Sequence, residues 1–340
     1  MATLLPVPIC RVVIRLLSSV AFAMLDHATF ERLKDAIQVA CGVLSLVVNS
    51  FLIFLIITKS SKSMGNYRYL MVYFCICSMF FSALDIVVRP VMTTYKTSFY
   101  IFIDLRNRDI SFLFGKLLIA TMAGIFGVVI YGISIHFLYR YFALERNERT
   151  KYFDAKYLPF WFSIPILGGA CWTAVSFFLL YKTDEFETYI RTEVEERFGA
   201  DVNQIELAGV QFFLPQPDGG ELFNWQSGVG FLCYGIIMII PFTFIIRIGK
   251  GSRDEIRKLP ASMHGKNFQM QLYRALVAQT LIPVVMLFLP FSIIFIFPFF
   301  HIDCASFANC QTFVYALYPA VDSIPSFFFI ESYRNAVTGH

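Results

Sequence analysis

A chain of 340 residues with 28 Lys and Arg, 24 Asp and Glu and a net charge of +4 has the length of two or three water-soluble domains. Its composition excludes them: 57% of the residues are hydrophobic and 15% charged, against about 45–50% and 25% in soluble domains, so lipid is the solvent that the sequence fits. The aromatic content excludes a disordered chain. Basic residues scattered between apolar runs, with no stripe of them, exclude nucleic acid as a partner.

In chain order, Arg11 and Arg15 precede the apolar stretch Leu16–Leu25, and Ala21-Phe22-Ala23 has the small-x-small form of a signal-peptidase site. Residues 1–25 therefore read as a cleaved signal-like stretch, an uncleaved amphipathic extension or an over-extended reading of the gene, within an extracellular segment 1–35. A spanning helix needs about 20 mostly apolar residues. Seven runs meet that: 36–57, 69–88, 117–138, 158–181, 227–246, 275–300 and 306–330. In a bilayer each must bond its own backbone, so each is a helix. The expected fold is an all-α membrane protein, a seven-transmembrane helix bundle, with a tail at 331–340. The connections 58–68, 139–157 and 247–274 with the tail carry 16 Lys and Arg, and the opposite loops carry 6, or 10 with the amino-terminal segment. The basic side is expected to be cytoplasmic, with the amino terminus outside and the carboxyl terminus inside. The connection 92–111 reads as a loop. The longest one, 182–226, holds ten acidic residues, and Phe186, Tyr189, Ile190, Val194 and Phe198 recur as on one face of a surface helix. Pro215, Pro217, Gly219 and Gly220 then mark a turn, so this segment reads as a solvated cap over the bundle.

Ionisable residues within spans are costly and point to function. Asp85 and Arg89 stand at i, i+4 spacing near the outer end of the second run, which fits a structural ion pair or, with Lys116 at the start of the third, a ligand pocket. Arg140, at the inner end of the third run, is placed either to snorkel to lipid phosphates or to latch the inner helix ends. Asp322 lies in the inner third of the last run between Pro319 and Pro325, where proline permits a kink. Asn49 and Gln279 read as interhelical hydrogen-bonding glue. Cys304 and Cys310 flank the start of the last run; six residues of regular helix separate Cα atoms by about 9 Å, so a disulfide there requires a folded-back loop. The five His never stand at metal-ligand spacing, and no phosphate loop, nucleophile elbow or dinucleotide fingerprint occurs. No enzyme, metal or cofactor is expected.

Several stretches together resemble the nematode seven-transmembrane chemoreceptors of the Str group, serpentine receptor class r. They are Met64-Gly65-Asn66-Tyr67-Arg68-Tyr69-Leu70-Met71, Ser82-Ala83-Leu84-Asp85 through Arg89-Pro90, Tyr139-Arg140-Tyr141, Gln271-Leu272-Tyr273-Arg274 through Pro283, Leu317-Tyr318-Pro319-Ala320-Val321-Asp322, and Tyr333-Arg334-Asn335-Ala336. The resemblance spans about residues 30–337. One departure is that the group's usual Asp-Pro-Leu-Pro is here Asp322-Ser323-Ile324-Pro325, one proline short. The resemblance implies an odorant receptor coupled to a heterotrimeric G protein, in the plasma membrane of sensory neurons and their cilia. A small-molecule odorant is then expected in the outer half of the bundle. Tyr139, Arg140, Tyr141, Arg274, Pro319 and Asp322 are expected at the switch and G-protein contact. A ligand-gated cation channel of the seven-helix odorant-receptor type is the alternative, and a transporter a further one.

Overall fold

The structure, a computed structural model, describes residues 27–60, 64–106, 108–144, 149–258 and 264–338; the signal-like stretch 1–25 lies outside the described residues. Among the described residues six helices are long and apolar enough to cross a membrane, and a seventh span is counted when Ala305–Phe329 is taken with the short helix Glu331–Val337, bent from it by 99°. In order they are α1 (His27–Lys59), α2 (Tyr67–Val88), α3 (Phe112–Leu144), α4 (Leu158–Leu179), α6 (Trp225–Lys258), a run from α7 (His264–Pro283) through a π turn (Val284–Phe288) to α8 (Leu289–Ile296), and α9 (Ala305–Val321) with α10 (Ile324–Phe329). The bent helix is α11 (Glu331–Thr338), and α5 (Asp184–Phe198) lies in the connection between α4 and α6.

Most of these helices outrun the apolar runs that announce them, because hydropathy marks only the part suited to lipid. Residues 27–35, read as an outer segment, form the first turns of α1, and the 117–138 run is the middle of the 33-residue α3. Much of the basic connection 247–274 is helix, since α6 continues to Lys258 and α7 begins at His264. The tail residues 331–338 form α11, whose Tyr333 is fully buried and shares a 2.8 Å hydrogen bond with the Ser60 hydroxyl.

Helix α3 is the axis of the bundle. Nineteen of its 33 residues are buried, against six of 22 in α4 and eight of 34 in α6, as expected for a helix apolar all round. It meets α4 at glycines: a Cβ on Gly127 would lie 2.6 Å from the Gly168 carbonyl oxygen. Small residues at such a crossing let helix backbones approach within lipid. The outer helices instead expose large side chains such as Val47, Phe54, Phe160, Ile239 and Phe328, an apolar surface that suits hydrocarbon and not water.

One end of the bundle is closed by β-structure that the sequence reading placed as loop. Strands β1 (Val91–Tyr95) and β2 (Ser98–Asp104) form an antiparallel hairpin, and β3 (Ile205–Gln211) pairs with β2. A second hairpin joins β4 (Phe213–Pro215) to β5 (Glu221–Phe223), turning through Gly219 at φ 83°. The β-branched and aromatic residues of 91–103 have the strand chemistry, but the segment is too short to span and carries no helical period. Over the sheet, α5 buries Phe186, Ile190, Val194 and Phe198, the face that the spacing predicts. Thr183 caps it by accepting from the Phe186 N–H, three acidic residues occupy its first turn, and Gly199 ends it at φ 58°.

The last span breaks at Asp322 and Ser323 although Ser323 stands where the resembled Asp-Pro-Leu-Pro signature has its first proline. Pro319 cannot donate a backbone N–H to the turn before it, and Pro325 starts α10. The α7–α8 run is likewise relaxed into a π turn between Pro283 and Pro290.

Candidate functional site

Beneath the sheet, side chains from α3, α4, α6 and α8 enclose a chamber of about 30 Å³. That volume holds one or two waters. Its walls are aromatic: Phe126 stacks on Trp172, Trp172 on Tyr234 with ring centroids 4.2 Å apart, and Phe291 meets Phe126 edge-on at 4.4 Å. Phe99 of β2 closes it against Phe295. The polar atoms of its side chains are the Ser176 and Tyr234 hydroxyls, hydrogen-bonded to one another, and the Trp172 indole N–H. No charged side chain lines it. An uncharged molecule with hydrogen-bonding oxygen fits that chemistry, and a cation or anion does not.

The sheet above is bolted to the helix ends. The Met92 N–H donates to the Thr312 hydroxyl of α9 at 3.1 Å, the Thr94 hydroxyl to Asp303 at 2.6 Å, and the Cys304 N–H to the Thr94 hydroxyl at 3.0 Å. The Lys182 ammonium reaches the Val202 and Ile205 carbonyls and the Glu187 carboxylate, at 2.8, 3.2 and 2.9 Å. Arg108 donates to the Val87 and Val88 carbonyls that end α2, each at 3.0 Å. Glu206 on β3 is buried, and its burial pushes the carboxyl above its ordinary range, with Lys182 and Lys116 partly opposing that.

At the opposite, basic end a buried guanidinium is incompletely bonded. Arg140 of α3 is 3% exposed, with its guanidinium 3.7 Å from the Tyr67 ring centre, a cation–π contact with α2. Among the described residues its Nη1 donates to Gln269 Oε1 of α7 at 3.3 Å, and Nε and Nη2 have no partner. Tyr67 also shares a hydrogen bond with His136 Nδ1, and the Tyr139 hydroxyl donates to the Met64 carbonyl.

Asp322, at the break of the last span, is 1% exposed, and the group facing its carboxylate among the described residues is the Tyr318 hydroxyl one turn before it. Asn49 of α1 holds the two sides of that break. Its amide donates to the Pro319 carbonyl at 3.1 Å, and its Oδ1 accepts from the Ser323 hydroxyl at 2.6 Å. Ser45 continues the chain, accepting from Asn49 through its carbonyl and from the Ser82 hydroxyl of α2. Gln279 of α7 donates to Ser326.

The sequence-predicted residues divide between these places. Asp85 and Arg89 do not pair. Helix α2 stops before Pro90, Arg89 takes a left-handed conformation at φ 49°, and its guanidinium swings to Asp35 of α1 at 2.8 Å. The residue before a proline is disfavoured in the helical region, so i, i+4 spacing loses its meaning there. Asp85 is buried with its oxygens unbonded, and the charge facing it is the buried Lys34 of α1, itself 3.4 Å from Asp35. Lys116 lies over the Phe177 and Tyr181 rings at 4.5 and 4.2 Å. None of these three lines the chamber. Tyr139, Arg140, Pro319 and Asp322 lie in the buried basic half; Tyr141 packs toward Gly251 of α6, and Arg274 is exposed on α7. The Cys304–Cys310 disulfide does not form: α9 begins at Ala305, so regular helix carries Cys310 away from Cys304. Sequence reasoning missed Lys34, Asp35, Tyr67 and Gln269 as partners. Tyr67 stood within a quoted motif, and the buried Lys34 was legible only as one more basic residue.

Known proteins match this chain over nearly its whole length. The family described as "Serpentine type 7TM GPCR chemoreceptor Str" matches residues 34–338. "Serpentine receptor class r-10" of Caenorhabditis elegans is 26% identical over 313 residues, covering 90% of each chain. Its namesake in Caenorhabditis briggsae is 28% identical over 311 residues, 90% of this chain and 89% of the relative. "G-protein coupled receptor str-33" of Caenorhabditis elegans is 24% identical over 300 residues, 86% of each.

Proposed function

This chain belongs to the Str family of serpentine seven-transmembrane chemoreceptors, and we propose that within it the chain is an odorant receptor that couples binding in the sheet-capped half to a heterotrimeric G protein at the basic end. The sheet end faces outside and the basic end the cytoplasm, in keeping with 16 basic residues against 6 in the connecting loops. The ligand is a small uncharged molecule that opens the aromatic chamber and meets the Ser176, Tyr234 and Trp172 polar groups. The receptor resides in the plasma membrane of chemosensory neurons, at the cilium.

The observation that carries this reading is the buried guanidinium of Arg140, held by one bond to α7 and one ring of α2. Such a group has two ways to complete its bonding: inward among the helices, or outward to a partner protein when α7 moves. A ligand biases that equilibrium only by its differential affinity for the two states; a 100-fold preference contributes about 2.7 kcal/mol. The broken last span, clamped by Asn49, is the second element able to move.

The test is a panel of volatile and water-soluble odorants applied to cells expressing this chain with a G-protein reporter. Epitopes at the two termini are probed in intact cells. A concentration-dependent reporter response that needs the G protein, with only the amino-terminal epitope accessible, is the expected result. Ion current in excised membrane without a G protein overturns it in favour of a channel.

A further inference from the structure

A larger cavity lies on the flank of the bundle, separate from the chamber. It occupies about 740 Å³ between α2, α3 and α4, within the range of small-molecule sites. Helix α3 stands between the two, with Ile125 facing the flank cavity and Phe126 the chamber. The mouth opens sideways between α2 and α4, where Ile76, Phe80, Ile166 and Phe178 are exposed on the surface that suits lipid. No charged residue lines the cavity. At its inner end is Tyr318 of α9, 1% exposed, whose hydroxyl has no partner of full hydrogen-bond geometry among the described residues, with the Asp322 carboxylate one turn on facing it as an acceptor. An unmet hydroxyl in an apolar interior is an expensive group to leave empty.

We propose that this groove binds an uncharged, lipid-dissolved alcohol or ketone, which enters sideways from the bilayer and completes the hydrogen bonding of the Tyr318 hydroxyl. Three observations select that occupant. The mouth faces hydrocarbon, so the molecule must dissolve there. The absence of cations along the walls excludes a carboxylate or phosphate. Tyr318 lies 13 residues into α9, about 20 Å along the span, too deep for a headgroup that must stay at the interface. Tyr318 is also one helical turn before Asp322 at the α9–α10 break, so occupancy bears directly on the clamped segment.

The test uses the purified full chain in phosphatidylcholine nanodiscs and 3-azioctanol, a photoreactive octanol, with adducts mapped by mass spectrometry. Saturable adducts are expected on the facing segments of α2 and α4 and at Tyr318, displaced by excess 1-octanol but not by octane. Ala174→Phe, at an exposed alanine that lines the groove, should remove the saturable component at least about tenfold while the chain melts as before. Tyr318→Phe should weaken the apparent affinity by about 3- to 10-fold, the worth of one hydrogen bond. Labelling that rises linearly with probe and is untouched by Ala174→Phe, or that saturates only in the chamber beneath the sheet, overturns the proposal. Unchanged octanol affinity in Tyr318→Phe overturns the assigned hydrogen bond.

Discussion

Lys182 and Arg108 at the sheet end and Arg140 at the basic end are bonded in opposite ways. At the sheet end Lys182 meets two carbonyls and a carboxylate, and Arg108 meets the two carbonyls that end α2. At the basic end Arg140 has one hydrogen bond, at 3.3 Å, and two nitrogens without a partner among the described residues. Backbone ladders reinforce the contrast, since β1, β2 and β3 tie the sheet end together, whereas the basic end is joined by side chains from α1, α2, α3 and α7. A cation whose donors are met by fixed carbonyls has one arrangement. A buried guanidinium with donors left over has something to gain by rearranging. The difference assigns rigidity to the half that would receive a ligand and motion to the half that would report it.

The comparison can be broken most forcefully at the sheet end. Phe102 is 1% exposed between the Tyr100 and Phe198 rings, and Phe102→Ala should cost about 3–5 kcal/mol. Surface biotinylation should then show little receptor at the plasma membrane. Normal delivery would mean that the cap is not a structural lid. At the other end Asn49→Ala leaves the Pro319 carbonyl and the Ser323 hydroxyl without that partner, at about 1–3 kcal/mol. The expected phenotype is altered basal reporter activity with most of the protein still delivered. A simple loss of expression like that of Phe102→Ala would erase the distinction between the ends.

Smaller effects sharpen the picture. Arg89 and Asp35 are each about a third exposed, so Asp35→Asn should lower the stability of solubilised receptor by no more than about 1 kcal/mol, read as a small change in thermal denaturation. A collapse of the fold would show that the Lys34–Asp35–Arg89 cluster is central to it. The smallest effect concerns pH. Burial raises the Glu206 carboxyl in the folded state, so its contribution favours the fold below the unfolded pKa, near 4.3, and fades as pH rises through the folded value. Glu206→Gln should therefore raise the melting temperature at pH 7 and leave it nearly unchanged at pH 4. The reverse order would show that Lys182 and Lys116 outweigh burial.

What could be read from the sequence follows from which forces are local. Seven apolar runs announce seven spans because hydrocarbon thickness sets their length. The α5 face was visible in the spacing from Phe186 to Phe198, and Asn49 proved to be interhelical glue because a buried amide in lipid must find partners. The Asp85–Arg89 pair failed for a reason in the next residue, Pro90, which ends the helix before Arg89 can share its face. The strands went unread because Val91–Asp104 has strand chemistry but a connecting loop's length. Arg140 was legible as a charge at the inner end of a span, free to snorkel or to latch, while its partners Tyr67 and Gln269, 73 and 129 positions distant, were not, since only packing brings them together. The aromatic chamber was illegible for a related reason: with 39 Phe in the chain, no single ring stands out until the fold selects it.

The central claim, that Arg140 is the hinge of the signalling end, is tested most directly by G-protein reporter output from Arg140→Ala beside the unaltered receptor. Surface expression is matched, and basal activity and the response to an odorant-panel agonist are both recorded. The account predicts that basal or stimulated coupling changes by tenfold or more while agonist occupancy, measured by binding, is largely kept. Unchanged basal and stimulated coupling at equal surface expression would contradict it.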